Sequence, residues 1–350
     1  MSQKNETAVL VLALAITLGL IGGVYWWLTR NYDITLGFGS ISNNQSEPKS
    51  QPNLQSVSQT FASVKEVPSG LFTYGGSTTW APIRKEIDSE IAKVFPQFQL
   101  RYTNPTTGNP GSASGIRMLL NNQLAFSQSS RSLKDEEYQQ AEQRGFKLEE
   151  IPVAIDGIAI AVNPDLNIPG LTLAQIKDIY TGKITNWQQV GGENLTITPY
   201  SRRLTEGGTV GFFSDNVLDG EKFASNVEFT LDTTDGLRKV AGNKGGIYYA
   251  SAPEVVGQCS IKPLPIGITS NKFVTPYLEP LIQPADCPQK RNQLNAEVFK
   301  SGEYPITRRQ FVVVKRNGQI DEQAGVAYAN LLLTDQGQEL ISKAGFVRIK

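Results

Sequence analysis

Four loops rich in serine, threonine and glycine carry the groups that could do chemistry in this chain. They are Gly75-Gly-Ser-Thr-Thr79, Gly111-Ser-Ala-Ser-Gly115, Ser127-Gln-Ser-Ser-Arg131 and Gly207-Gly-Thr209. Each follows a strand-like run and precedes a helix-like one. A helix start leaves about four backbone N–H groups without intrahelical partners and carries about half a positive charge. Glycine lets the backbone approach an anion closely, and hydroxyls add donors. A single such loop reads as ordinary N-capping. Four of them point to a shared oxyanion, because strand-to-helix junctions line the ligand crevice of open α/β sheets. The candidate donors are Ser77, Thr78, Thr79, Ser112, Ser130, Gly207, Gly208 and Thr209, with Arg131 closing the third loop. Arg203, four residues before Gly207, either offers a bidentate guanidinium to the anion or lies exposed on the surface. Asp156 interrupts the apolar run Ile151–Val162, and a buried carboxylate must be paired. Its partner is a nearby donor at a chain crossover or a protonated ligand oxygen.

Composition removes most other chemistry. The 350 residues contain no histidine, two cysteines and two methionines. That discards the commonest general acid/base, any Ser-His-Asp or Cys-His pair and most zinc sites. Charge is balanced at 33 basic and 33 acidic residues, so no polycation awaits a nucleic acid. No Gly-Lys-Ser/Thr follows a glycine loop and no GxGxxG opens a helix, which argues against nucleotides. Asp135-Glu-Glu137 and Glu149-Glu150 lie in solvated stretches, so no metal site and no cofactor are expected.

The elements that must position these loops alternate between strand and helix. Leu71–Tyr74 is strand-like, and Ile83, Ile87, Ile91 and Val94 recur at helical spacing. A strand is expected near Phe98–Tyr102, a helix from Ile116, and a strand at Leu124–Ser127. Ser132 and Asp135 have capping-box spacing ahead of a polar helix. Ile151–Val162 and Phe311–Lys315 are long β runs that bracket a middle segment. That arrangement predicts a discontinuous first lobe with the second inserted into it.

The chain ends set the compartment. Ala8–Leu28 is almost wholly apolar, and about 21 residues at ~1.5 Å rise cross a bilayer core. It is long for the apolar region of a cleaved signal peptide, and no clear cleavage motif follows. Residues 1–30 are therefore read as a membrane anchor, in which Lys4 and the N-terminal amine barely outweigh Arg30 and so only weakly set the remainder outside the cytoplasm. Residues 31–68, rich in Ser, Asn, Gln and Pro, bury too little to fold and read as a flexible linker. In that compartment Cys259 and Cys287 either form a disulfide or remain two structural thiols.

Several stretches in order resemble the phosphate-binding subunit of bacterial phosphate ABC transporters, a two-lobed solute-binding family. They are Gly76-Ser-Thr-Thr79, Gly111–Ile116, Ser129-Ser-Arg131, Asp156–Pro164, Leu171–Trp187 with Val190-Gly-Gly192, Ser201-Arg-Arg203 with Gly207-Gly-Thr209, Gly245–Tyr249 and Tyr304-Pro-Ile306. The 17-residue stretch Leu171–Trp187 is the most specific. The resemblance implies an α/β type II binding-protein fold: lobe I over 69–153 and 303–350, lobe II over 154–302. It implies a monomer that binds phosphate between the lobes and passes it to permease subunits, with no catalysis. The ligand residues it implies are Thr78, Thr79, Ser112, Ser130, Arg203, Gly208 and Thr209. Gly207 stands where the family commonly has a serine, and Ser130 where some members have an aspartate that accepts the proton of phosphate. Asp156 is the candidate to replace that acceptor. Otherwise the site holds no group that titrates near neutral pH. Sulfate or molybdate is the alternative ligand, and an anchored sensor or scavenger the alternative role.

Overall fold

The computed structural model describes residues 59–204, 207–287 and 289–349. The expected anchor and most of the expected linker lie outside the described residues. The first elements are β1 (Gly70–Gly76), α1 (Ala81–Val94), β2 (Phe98–Tyr102), α2 (Ser112–Leu120), β3 (Phe126–Ser129), α3 (Asp135–Gln143) and β4 (Lys147–Val162). The middle segment adds β5 (Leu171–Thr172), α4 (Leu173–Tyr180), β6 (Thr198–Ser201), α5 (Gly208–Asn216), β7 (Glu228–Phe229), α6 (Thr233–Gly242) and β8 (Gly246–Ser251). It continues through α7 (Ala252–Val255), β9 (Lys262–Leu264), β10 (Ile266–Thr269), β11 (Lys272–Val274) and α8 (Ala296–Lys300). The chain closes with β12 (Thr307–Arg316), α9 (Ile320–Leu332), α10 (Asp335–Lys343) and β13 (Val347–Arg348).

The strands form one mixed sheet in the order β2-β1-β3-β12-β4-β8-β6-β7, with β9 and β13 also pairing to β4. A small second sheet is ordered β11-β10-β5. Two separate apolar cores explain the two-lobed α/β fold. One gathers Phe72, Trp80, Ile83, Ile87, Ile91 and Phe126 with Val312, Tyr328 and Leu332 from the end of the chain. The other gathers Ile158–Val162 with Ile176, Trp187, Phe213 and Tyr249. Beneath α2, Ile116, Leu119 and Leu124 pack with Val313.

β4 is the element that joins them. Its first half pairs antiparallel with β12 from Lys147↔Arg316 to Gly157↔Thr307, and its second half pairs with β8 and β9. Val153 and Ala154 belong to the first core, Ile158 onward to the second. The two long β runs are thus side-by-side partners; β4 begins four residues before the apolar run Ile151–Val162, and β12 extends beyond Phe311–Lys315 at both ends. Fully buried strands lose polar alternation in their middle but not at their ends.

Two local expectations differ from the structure. α3 starts two residues beyond the Ser132 box: Lys134 is its N-cap and Glu137 Oε2 accepts the Lys134 N–H at 2.9 Å. The linker read through residue 68 does not hold for residues 59–68. Phe61 is fully buried in the first core, and its N–H donates to Gln336 Oε1 at 2.9 Å. A lone aromatic in a polar stretch supplies enough apolar area to dock it.

Cys259 and Cys287 are joined as a disulfide with Cα atoms 5.7 Å apart. Among the described residues no helix is long and apolar enough to cross a membrane.

Candidate functional site

The first, second and fourth loops converge with Ser130 of the third. β1 ends at Gly76 and turns through a 3₁₀ segment, Thr78–Trp80, before α1. Ser77 N–H donates to the Gln128 carbonyl at 2.8 Å, which holds the first loop against the third. Behind it, Arg84 Nη1 donates to the Ser77 carbonyl at 3.3 Å and to Gln128 Oε1 at 2.9 Å. Ser77 Oγ donates to Ser130 Oγ at 2.9 Å, Ser130 Oγ lies 3.2 Å from Ser112 Oγ, and Ser112 Oγ accepts the Ser130 N–H at 3.1 Å. All three serines are buried.

Ser112 is the first residue of α2 and Gly208 the first of α5, capped by Gly111 and Gly207. The two helix starts meet. A Cβ on Gly208 would lie 2.3 Å from both the Ser112 and Ser130 hydroxyls, so no other residue fits without displacing them. Thr79 Oγ1 lies 3.4 Å from Thr209 Oγ1. Each helix start contributes roughly half a positive charge, and the two starts lie against each other. The adjoining cavity is lined by Thr78, Thr79, Arg202, Thr209, Thr233, Tyr248, Tyr249 and Glu254. At about 20 Å³ it is far smaller than the ~300–1,000 Å³ of pockets for organic ligands. Tyr249 forms a stiff wall, stacked on Phe213 at 3.6 Å between ring centroids, with its hydroxyl 2.6 Å from Ser201 Oγ.

With this geometry the chain can be compared with known proteins. A family model described as a PBP superfamily domain matches residues 49–336. This chain belongs to the PBP superfamily. Among curated relatives of this superfamily member is the phosphate-binding protein PstS of Staphylococcus epidermidis, 28% identical over 276 residues, covering 78% of this chain and 77% of that protein. The protein of the same name from Staphylococcus haemolyticus is 27% identical over 281 residues, covering 78% and 79%. A Clostridium perfringens substrate-binding protein solved with bound phosphate superposes with a TM-score of 0.64 at 24% identity, covering 80% of this chain and all of that one. An ABC-type phosphate transport receptor from Vibrio cholerae gives 0.57 at 21% identity, covering 79% and 99%. These likenesses establish the fold.

In this PBP-superfamily chain the remaining candidates fall elsewhere. Arg203 is exposed, its guanidinium 4.8 Å from the Phe229 ring centroid, and does not line the cavity. Arg202, its neighbour, does, and its Nη1 lies 3.3 Å from where a Gly207 Cβ would sit. Arg131 grips Glu137 with two N–H bonds of 2.9 and 2.7 Å, so its charge is committed away from the serines. Asp156 is buried and filled with donors. Oδ1 accepts from Ser251 Oγ at 2.7 Å, while Oδ2 accepts from Arg308 Nε at 2.9 Å and Gln310 Nε2 at 3.2 Å, with Arg308 Nη2 at 2.8 Å. Burial pushes its pKa up, opposed by Arg308 and Ser251. Arg308 Nη2 also reaches Thr79 Oγ1 at 3.5 Å.

Sequence reading missed four residues: Arg202, Arg308, Thr233 and Glu254. Arg308 had a signal, because Asp156 needed a buried cation and the second long β run lies beside it. Glu254 corrects the expectation that nothing here titrates near neutral pH. Its pKa is pushed up to about 7, first by burial and then by the Asp156 charge, with Thr233, Arg308 and Arg202 pulling the other way.

Proposed function

We propose that the chain binds inorganic phosphate between its lobes and delivers it to the permease subunits of an ABC-type importer. The observation that carries this reading is the meeting of two helix starts, with Gly208 seated on the Ser112 and Ser130 hydroxyls. Such a site supplies donors and positive potential in a space too small for an organic molecule. The names of the curated relatives support phosphate as the anion. Thr78, Thr79, Ser112, Ser130, Gly208 and Thr209 hold the ligand. Arg202, rather than Arg203, supplies the guanidinium. Ser77 and Arg308 hold Ser130 and Thr79 in place, Gly207 leaves room for Arg202, and Asp156 anchors Arg308.

Lobe I comprises 69–153 and 303–350, extended back to Gln59 by Phe61; lobe II comprises 154–302. β4 and β12 carry the hinge, in the manner of domain closure around a ligand. The chain works as a monomeric carrier, tethered by residues 1–30 with its lobes outside the cytoplasm, and performs no catalysis. Ligand binding stabilises a folded protein by RT ln(1 + [L]/Kd). Thermal unfolding should therefore shift upward with the logarithm of phosphate concentration, whereas a midpoint indifferent to millimolar phosphate would contradict the reading.

A further inference from the structure

A groove of about 530 Å³ lies beside the crossing strands, apart from the cleft. That size falls within the ~300–1,000 Å³ of sites for small organic ligands. Its apolar wall is Ile155 of β4, Phe212 of α5, Phe299 of α8 and Phe311 of β12. Phe299 is buried against β4, its ring filling the space that a side chain on Gly157 would need, and it packs on Tyr304 at 4.6 Å between ring centroids. The rim is formed by the exposed side chains of Lys134, Asp215, Lys300 and Arg309. Lys134 Nζ and the Asp215 carboxylate face each other across the two lobes at 3.9 Å. Lys300 and Arg309 have no ion pair among the described residues. Arg308, which also lines the groove, spends Nε and Nη2 on Asp156, and its Nη1 is buried without a hydrogen-bond partner. The groove thus joins an aromatic wall to an excess of positive charge.

We propose that this groove is a second binding site, for a small aromatic carboxylic acid, and that its occupation strengthens phosphate binding. The ring lies against the phenylalanines, and the carboxylate meets Lys300 and Arg309, whose guanidinium can grip it with two N–H bonds. An aromatic cation would meet like charge, and a neutral ring would leave both cations unpaired. The coupling follows from the elements that carry both sites. α5 starts at Gly208 in the cleft, and Phe212 and Asp215, four and seven residues on, bring the same helix face to the groove. Ser130 belongs to the serine cluster, and Arg131 beside it lines the groove. Arg308 lines the groove and reaches Thr79 Oγ1 in the cleft at 3.5 Å. An occupant that touches both lobes loses contacts when they part, so it favours closure, and phosphate favours the occupant in return. The coupling, though not the groove itself, rests on the phosphate reading of the cleft.

Calorimetric titration of the full chain with sodium naphthoate, and with inorganic phosphate in its absence and presence, tests the proposal. One naphthoate should bind per chain, and saturating naphthoate should raise phosphate affinity by about fivefold or more. Naphthamide, the same ring without the charge, should bind about tenfold or more weakly, because it forfeits the charge-assisted bonds. Lys300→Glu with Arg309→Glu, a double reversal at exposed side chains, should abolish naphthoate binding and its effect on phosphate. Phosphate affinity without naphthoate should stay at the wild-type value in that variant. Arg309→Gln alone should weaken naphthoate by about fivefold, which keeps the test valid should the double reversal fail to fold. No naphthoate binding, equal binding of the amide, or variants that bind naphthoate as the wild type does would overturn the groove as an acid site. Naphthoate that binds but leaves phosphate affinity unchanged, or lowers it by competing in the cleft, would overturn the coupling. Naphthoate binding with no phosphate binding would overturn the reading of the cleft and leave the groove standing.

Discussion

Gly208→Ala is the sharpest perturbation of the site. The added methyl would lie 2.3 Å from the Ser112 and Ser130 hydroxyls and 3.2 Å from the Ser112 Cβ. Neither hydroxyl can swing aside freely, because Ser77, Ser112 and Ser130 form one chain of hydrogen bonds at 2.9–3.2 Å. Overpacking of this kind costs about 1–3 kcal/mol. At about 1.4 kcal/mol per factor of ten, affinity for phosphate should fall about 5- to 150-fold. The clash is between α5 and the serines facing it, so separating these elements relieves it without unfolding either core. Replacing a glycine at a permitted backbone angle even tends to stabilise the chain, by about 0.4–1 kcal/mol. Equilibrium dialysis against labelled phosphate, paired with ligand-free thermal unfolding, separates the two effects. Gly211→Ala on the same helix is the control, since its Cβ would meet only Arg131 Cδ at 3.9 Å. Near-wild-type affinity for Gly208→Ala would refute the convergence of the two helix starts.

Other outcomes follow from the same geometry. Asp156→Asn leaves Arg308 buried without its counter-charge and should cost about 3–5 kcal/mol of stability, read by denaturant unfolding. Replacing Cys259 and Cys287 by serine opens a 28-residue loop and should lower stability by about 3.6 kcal/mol on the chain-entropy account. Because the Glu254 pKa is raised to about 7 in the folded chain from an ordinary 4.5, its contribution to stability is complete below about 4.5 and is lost as pH rises through 7. Ligand-free unfolding of the wild type should therefore lose stability over that window relative to Glu254→Gln, and parallel pH profiles would contradict it.

Much of this was legible in the sequence because it rests on local rules. The zero in histidine, the serine- and glycine-rich loops and the two long β runs all pointed to an α/β oxyanion site, and the helix starts at Ser112 and Gly208 are where those loops put them. What failed depended on tertiary placement. Spacing cannot tell which of Arg202 and Arg203 lines the cavity, because that depends on how the chain leaves β6 after the buried Ser201. Asp156 seemed open to a ligand because Arg308, 152 residues away, meets it only through the register of β4 with β12. Glu254 gave no signal at all. Its near-neutral titration arises from burial and from a charge on another strand, and neither leaves a mark on the residues beside it.

The central claim, one phosphate held by Arg202 at the meeting of two helix starts, is tested most directly by calorimetric titration of three proteins with inorganic phosphate. The wild type should bind one phosphate per chain. Arg203→Ala should bind as the wild type does, because that guanidinium rests on Phe229 outside the cavity. Arg202→Ala should lose about 2 kcal/mol or more, a drop of about 30-fold or greater, the usual cost of truncating a buried charge-assisted contact. Equal affinities for Arg202→Ala and the wild type, or loss on Arg203→Ala alone, would contradict the account.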